Sequence, residues 1–98
     1  MKTKSFKDGE ADELFQAFIA LSSLEECYKF FGDICTPAEI SAITQRYTVA
    51  KMLDKDVKYQ DISNLTGAST ATISRVNRSL VYGTGGYRWA LNRAKKGS

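Results

Sequence analysis

Histidine is missing from all 98 residues of this chain. Without it there is no imidazole base, no Ser-His-Asp relay and no histidine-held metal. Cysteine is scarce, with Cys27 and Cys35 alone. Their spacing is not the close pairing of a zinc site, and in a reducing cytosol two such thiols are expected to stay free, small and buried. No run approaches the roughly eighteen apolar residues of a membrane span. The opening Met1 to Lys7 is basic and polar and is followed by acids, so it does not read as a signal peptide. Most carboxylates sit where helix first turns begin, and no pair is set across a cleft. No segment reads as a strand, and none repeats. These absences predict an all-α, cytoplasmic, non-enzymatic chain with no resident metal or cofactor and no membrane partner. At this length it is one domain with a thin core, and a chain of that size often finds further buried surface in a partner subunit.

What is present is unevenly spread. From Met1 to Val57 there are seven bases and ten acids, a net of −3; from Lys58 to Ser98 there are seven bases and one acid, Asp61, a net of +6. The overall charge of +3 is too small to point to nucleic acid. The asymmetry does point there, because the cations collect where the most informative stretch lies.

That stretch runs from Tyr59 to Leu80 and reads as two short helices joined by a tight turn. Ile62 and Leu65, three apart, are expected to share the apolar face of the first helix. Gly67 stands just past them, where a left-handed residue can close a helix. Ser69 or Thr70 can cap the second helix through a hydroxyl. In that helix Ile73, Val76 and Leu80 fall on one face, and Ala71, Ser74, Arg75 and Arg78 on the opposite one. The second face is small, hydroxyl-bearing and cationic, which suits a helix entering a DNA major groove. The alternative is a helical hairpin whose arginines are merely solvated, in an oligomerisation or adaptor module that binds protein.

The remaining segments are helical by pattern. A flexible start is expected over residues 1–9, a single helical domain over 10–96 with the helix-turn-helix at about 59–81, and a tail at 97–98. Asp8 or Asp12 can open the first helix, which carries Leu14, Phe15, Phe18, Ile19 and Leu21. Ser23 to Glu26 forms a capping box for a second helix, which Gly32 is expected to end. Thr36-Pro37-Ala38-Glu39 is the strongest helix start: threonine caps, proline sits where its missing N–H is harmless, and Glu39 reaches back. Ile40, Ile43, Tyr47, Ala50 and Leu53 then form a stripe, with Arg46 beside it, where a carboxylate such as Glu39 or Glu25 could pair with it. Asp54 to Asp56 is a turn by composition, and Lys58 is a poor cap for the helix that begins at Tyr59. After Val81-Tyr82, the Gly83-Thr84-Gly85-Gly86 break lacks the lysine and hydroxyl of a phosphate loop. Tyr87 to Lys96 is a last helix with Tyr87, Ala90, Leu91 and Ala94 on its apolar face, and with Lys95 and Lys96 solvated at its end.

At Thr36-Pro37-Ala38-Glu39, at Arg46, and from Gly67 through Ala68-Ser69-Thr70-Ala71-Thr72-Ile73-Ser74 to Arg75, the sequence resembles the tryptophan repressor family, most closely its YerC/YecD-type branch. The likeness is strong from about Thr36 to Leu91 and weak before Leu24. It implies a six-helix fold in an intertwined homodimer, presenting paired helix-turn-helix motifs to double-stranded DNA about one helical turn apart on a near-palindromic site. Ser69, Thr70, Ala71, Thr72 and Ser74 would approach base edges, and Lys58, Gln60 and Arg78 phosphates. The implied function is a transcriptional regulator, acting as a repressor. The resemblance also carries over a corepressor pocket, with Arg46 and Arg75 flanking the ligand and Thr36, Thr72 and Ser79 around it. The family's glycine at the pocket floor is replaced here by Val76. That adds roughly three heavy atoms to a tight slot, an overpacking that costs ~1–3 kcal/mol. The expected ligand is therefore not tryptophan but another small molecule, or none.

Overall fold

A computed structural model describes residues 8–97 as six α-helices, with no strand among the described residues. They are α1 (Asp8–Ala20), α2 (Leu24–Ile34), α3 (Pro37–Asp54), α4 (Tyr59–Thr66), α5 (Thr70–Tyr82) and α6 (Gly86–Gly97). Of the start expected to be flexible, Asp8 and Gly9 are helical; residues 1–7 lie outside the described part, as do Ser98 and the Lys96 side chain. The chain divides into two compact units, residues 1–40 and 41–98.

In the first unit the phenylalanines gather. The Phe18 ring lies 5.5 Å from Phe30, 5.1 Å from Phe31 and 6.0 Å from Phe15, centroid to centroid. The break between α1 and α2 is held by hydroxyls. The Glu26 N–H donates to Ser23 Oγ (3.1 Å), as a capping box requires. The Glu26 carboxylate, however, accepts from the Ser22 N–H (2.8 Å) and the Ser22 hydroxyl (3.1 Å), one residue further back than the box predicts. Gly32 does not end α2. It keeps a right-handed conformation, and the helix continues to Ile34 before Cys35 turns extended (φ −118°, ψ 152°). The stop comes from ahead, because the ring of Pro37 disfavours helical backbone at Thr36. At Thr36 the capping box is reciprocal: the Glu39 N–H donates to Thr36 Oγ1 (3.1 Å) and Glu39 Oε1 accepts from the Thr36 N–H (2.8 Å). Cys27 and Cys35 are free thiols, half-buried rather than buried.

The second unit holds a closed core of Val49, Ala50, Ile62, Ala68, Ile73, Val76, Leu80 and Leu91, flanked by Tyr47, Met52, Leu53, Val57 and Tyr87. Each fully buried aliphatic contributes roughly 1.5–3 kcal/mol of burial free energy. Val49, next to the expected stripe on α3, is among its most buried members. The turn after α3 contains no glycine, and Asp56 takes the left-handed conformation itself (φ 61°). The Val57 N–H then reaches the Met52 carbonyl and the Asp56 N–H that of Leu53, both at 3.0 Å. This pair of bonds is a Schellman closure, with Val57 and Met52 both packed on the core.

Asp54 faces α6 from the same corner. Its carboxylate accepts from Arg88 Nη1 (2.6 Å) and Lys95 Nζ (3.0 Å) of that helix. Lys95 is thus an ion-pair partner and not part of a solvated tail. Its hydrogen bond to Asp54, with the charges of Lys95 and Arg88, holds the Asp54 carboxyl below its ordinary range, against a desolvation that pushes the other way. An acid at a helix C-terminus opposes the dipole; here two cations from another helix offset it.

Candidate nucleic-acid interface

Lys58 offers no side-chain cap to α4, so its start rests on the dipole-favourable Asp61 and on the Ile62 N–H bond to the Lys58 carbonyl (3.0 Å). Ile62 is fully buried, whereas Leu65 is 71% exposed. The expected Ile62–Leu65 face is therefore wrong. The inward partner of Ile62 is Thr66, four residues on, whose hydroxyl donates to the Ile62 carbonyl (2.7 Å) and accepts from the Ala68 N–H (3.1 Å). The turn uses that hydroxyl, so Leu65 rotates outward.

The rest of the turn is equally specific. Gly67 is left-handed (φ 76°), and its N–H donates to the Ser63 carbonyl (2.9 Å). The Ser63 hydroxyl crosses to the Ala68 carbonyl (2.8 Å), and Gln45 Nε2 on α3 donates to the Thr66 carbonyl (3.2 Å). Two of the carbonyls that the end of α4 leaves without a helical partner, those of Ser63 and Thr66, are thereby satisfied, and the turn is tied to both flanking helices and to α3. Ser63, Thr66 and Gln45 are functional supports that sequence reasoning missed. Two hydroxyls three apart just before Gly67 were the available signal; Gln45, far away in sequence, gave none.

Ser69, not Thr70, caps α5: its Oγ accepts from the Thr72 N–H and donates to Thr72 Oγ1, both at 3.1 Å. Ile73, Val76 and Leu80 point into the core. Ala71, Ser74, Arg75 and Arg78 are exposed on the other side, as are Thr70 and Ser69, while Thr72 is half-buried. Lys58 and Gln60 are exposed at the start of α4. Among the described residues no carboxylate lies within ion-pairing distance of Arg75 or Arg78. Two uncompensated guanidiniums on a face of short side chains can approach a polyanion closely.

The residues expected around a small ligand do not all converge. Arg46 and Ser79 line a depression of about 580 Å³, walled by Ile43, Tyr47, Tyr87 and Ala90 and by the Gly83–Gly86 connection. Thr72 and Arg75 are not among its walls, and Thr36 commits its hydroxyl to the α3 cap. No carboxylate of residues 41–95 pairs with Arg46. Val76 is 2% exposed and filled into the core.

Comparison with known proteins agrees with this geometry. The Trp repressor protein family matches residues 9–95. This chain belongs to the Trp repressor family. The YerC protein of Bacillus subtilis, itself uncharacterised, is 48% identical over 96 residues, which is 98% of this chain and 92% of YerC. A TrpR-like protein from Eubacterium eligens superposes with a TM-score of 0.86 at 52% identity, over 89% of this chain and 90% of that one. A candidate Trp repressor from Staphylococcus aureus gives 0.90 at 45%, over 97% and 95%. Membership makes the α4–Gly67–α5 unit the helix-turn-helix of a DNA-binding transcription regulator. As in its Trp repressor relatives, the family's work is regulatory rather than enzymatic. No helix among the described residues is long and apolar enough to cross a membrane.

Proposed function

We propose that this protein is a cytoplasmic, homodimeric repressor that binds a near-palindromic DNA site, laying α5 of each protomer in successive major grooves. The observation that carries the reading is the division of α5 into a buried face and an exposed face bearing two unpaired arginines. Dimerisation is supported by residues 9–40, where Ile19, Leu24, Tyr28 and Ile34 are exposed and no side chain is buried. With the N-terminal end of α5 on the bases, Thr70, Ala71 and Ser74 offer hydroxyls and a methyl to base edges, while Lys58, Gln60 and Arg78 reach phosphates. Such a reader discriminates partly through bridging water and DNA shape. The test is binding to a selected duplex at several salt concentrations. The wild-type affinity should fall steeply with salt, and Arg75→Ala with Arg78→Ala should flatten the slope by about one unit per lost phosphate contact. Binding indifferent to both salt and these arginines would refute the reading.

A second reading concerns control. The depression at Arg46 is within the size range of small-ligand sites and mixes one cation with apolar walls. It suits a small carboxylic acid other than tryptophan, given the filled position at Val76. A ligand at a hundred times its Kd adds ~2.7 kcal/mol of stability, so a thermal-shift screen of amino acids and aromatic acids would reveal it, and Arg46→Ala should abolish the shift.

A further inference from the structure

Tyr82 closes α5 and has no part in the contacts proposed so far. It is 83% exposed, the most exposed large apolar side chain among the described residues, and its hydroxyl has no hydrogen-bond partner there. Its register is informative. At about 100° per residue, Tyr82 stands within about 20° of Arg75 and about 40° of Arg78 around the helix axis, and about 160° from the buried Leu80. It therefore continues the Ala71–Arg75–Arg78 stripe and faces away from the core.

The helix end keeps it there. The Gly83 N–H donates to the Ser79 carbonyl (2.9 Å), and a Cβ at Gly83 would collide with that same oxygen. Only glycine allows the chain to fold back this tightly, and the chain leaves without covering Tyr82.

Resting on the DNA-binding reading, we infer that Tyr82 is a further contact residue, and that its phenolic O–H donates to a DNA phosphate on the groove wall. The axial distance sets the target. Ala71 and Tyr82 are eleven residues apart, ~16 Å along the helix, which exceeds the ~12 Å width of the major groove. With the Ala71 end on base edges, the Tyr82 end lies over the backbone. Tyrosine is a neutral phosphate donor, so this contact positions the reader without adding sequence preference or counterion release.

The experiment compares wild type, Tyr82→Phe, Tyr82→Ala and Arg78→Ala on one selected duplex and on single-base variants of it, across salt. Tyr82→Phe should weaken binding about tenfold, equally on every variant, with the salt slope unchanged and the helical circular dichroism intact. Tyr82→Ala should lose at least as much, and Arg78→Ala should flatten the slope. Wild-type affinity in Tyr82→Phe overturns the inference, as does a loss confined to Tyr82→Ala or to one base variant. If Arg78→Ala weakens binding while Tyr82→Phe does not, the inference falls and the DNA-binding reading stands. If wild type itself shows no salt-dependent binding, both fall.

Discussion

Residues 9–40 and residues 41–95 carry large apolar side chains at similar density, yet only the second stretch buries any of them. The second closes a core around Ile62, Ile73, Val49 and Val76, with turns whose polar groups are paired. The first has good caps and a ring cluster, but Ile19, Leu24 and Tyr28 each remain about three-quarters exposed. Local helix signals and burial are separate properties. One part of the chain is arranged to hold its own reader; the other leaves its large apolar side chains uncovered.

The largest way to sharpen this contrast is Ile62→Ala, which leaves a cavity in the closed core and should cost about 2–5 kcal/mol in denaturant unfolding. A cost within the range of surface substitutions would mean the core is not where the second unit's stability resides. Next is Ile19→Glu with Tyr28→Glu. Both side chains are exposed in one copy, so a lone protomer tolerates the change. A dimer should fall apart in sedimentation, and affinity for a two-half-site duplex should drop about a hundredfold with the loss of bivalency. Unchanged sedimentation would erase the contrast between the units. Gly67→Ala has open space around its added Cβ but inherits a left-handed φ of 76°, so it should cost ~1–2 kcal/mol through backbone strain alone.

The smallest effect belongs to Asp54→Asn, which should speed hydrogen exchange in α6 ahead of α4 and α5. Its pH counterpart has a definite sign. The folded carboxyl titrates below its unfolded value, so its contribution is present above the ordinary carboxylate pKa of about 3.9 and is lost as pH falls through the lowered one. The hold of Asp54 on α6 should therefore be constant near neutrality and fail only in acid, and Asp54→Asn should remove that acid-dependent step.

What the sequence revealed was mostly local. Gly67, Ser69 and the Thr36–Glu39 box could be read because their partners lie within a few residues, where residue type dictates geometry. The two faces of α5 were legible for the same reason. Leu65 was misplaced because apolar spacing gave it to the core, while the turn needed the Thr66 hydroxyl there instead. Gly32 was misread as a stop because the restriction came from Pro37, five residues ahead. Asp54 with Arg88 and Lys95, and Gln45 with Thr66, span 21 to 41 residues, and no spacing rule links them. Tyr82 was countable from Arg75 all along, but its meaning depends on exposure, which only the fold provides.

The most direct measurement is selection of bound fragments from random DNA, with the stoichiometry of the selected complex determined in parallel. The account predicts two protomers per duplex on an inverted repeat whose half-sites are centred about 10–10.5 base pairs apart. A selected pool without symmetry, or a complex of one protomer on a single half-site, would contradict it.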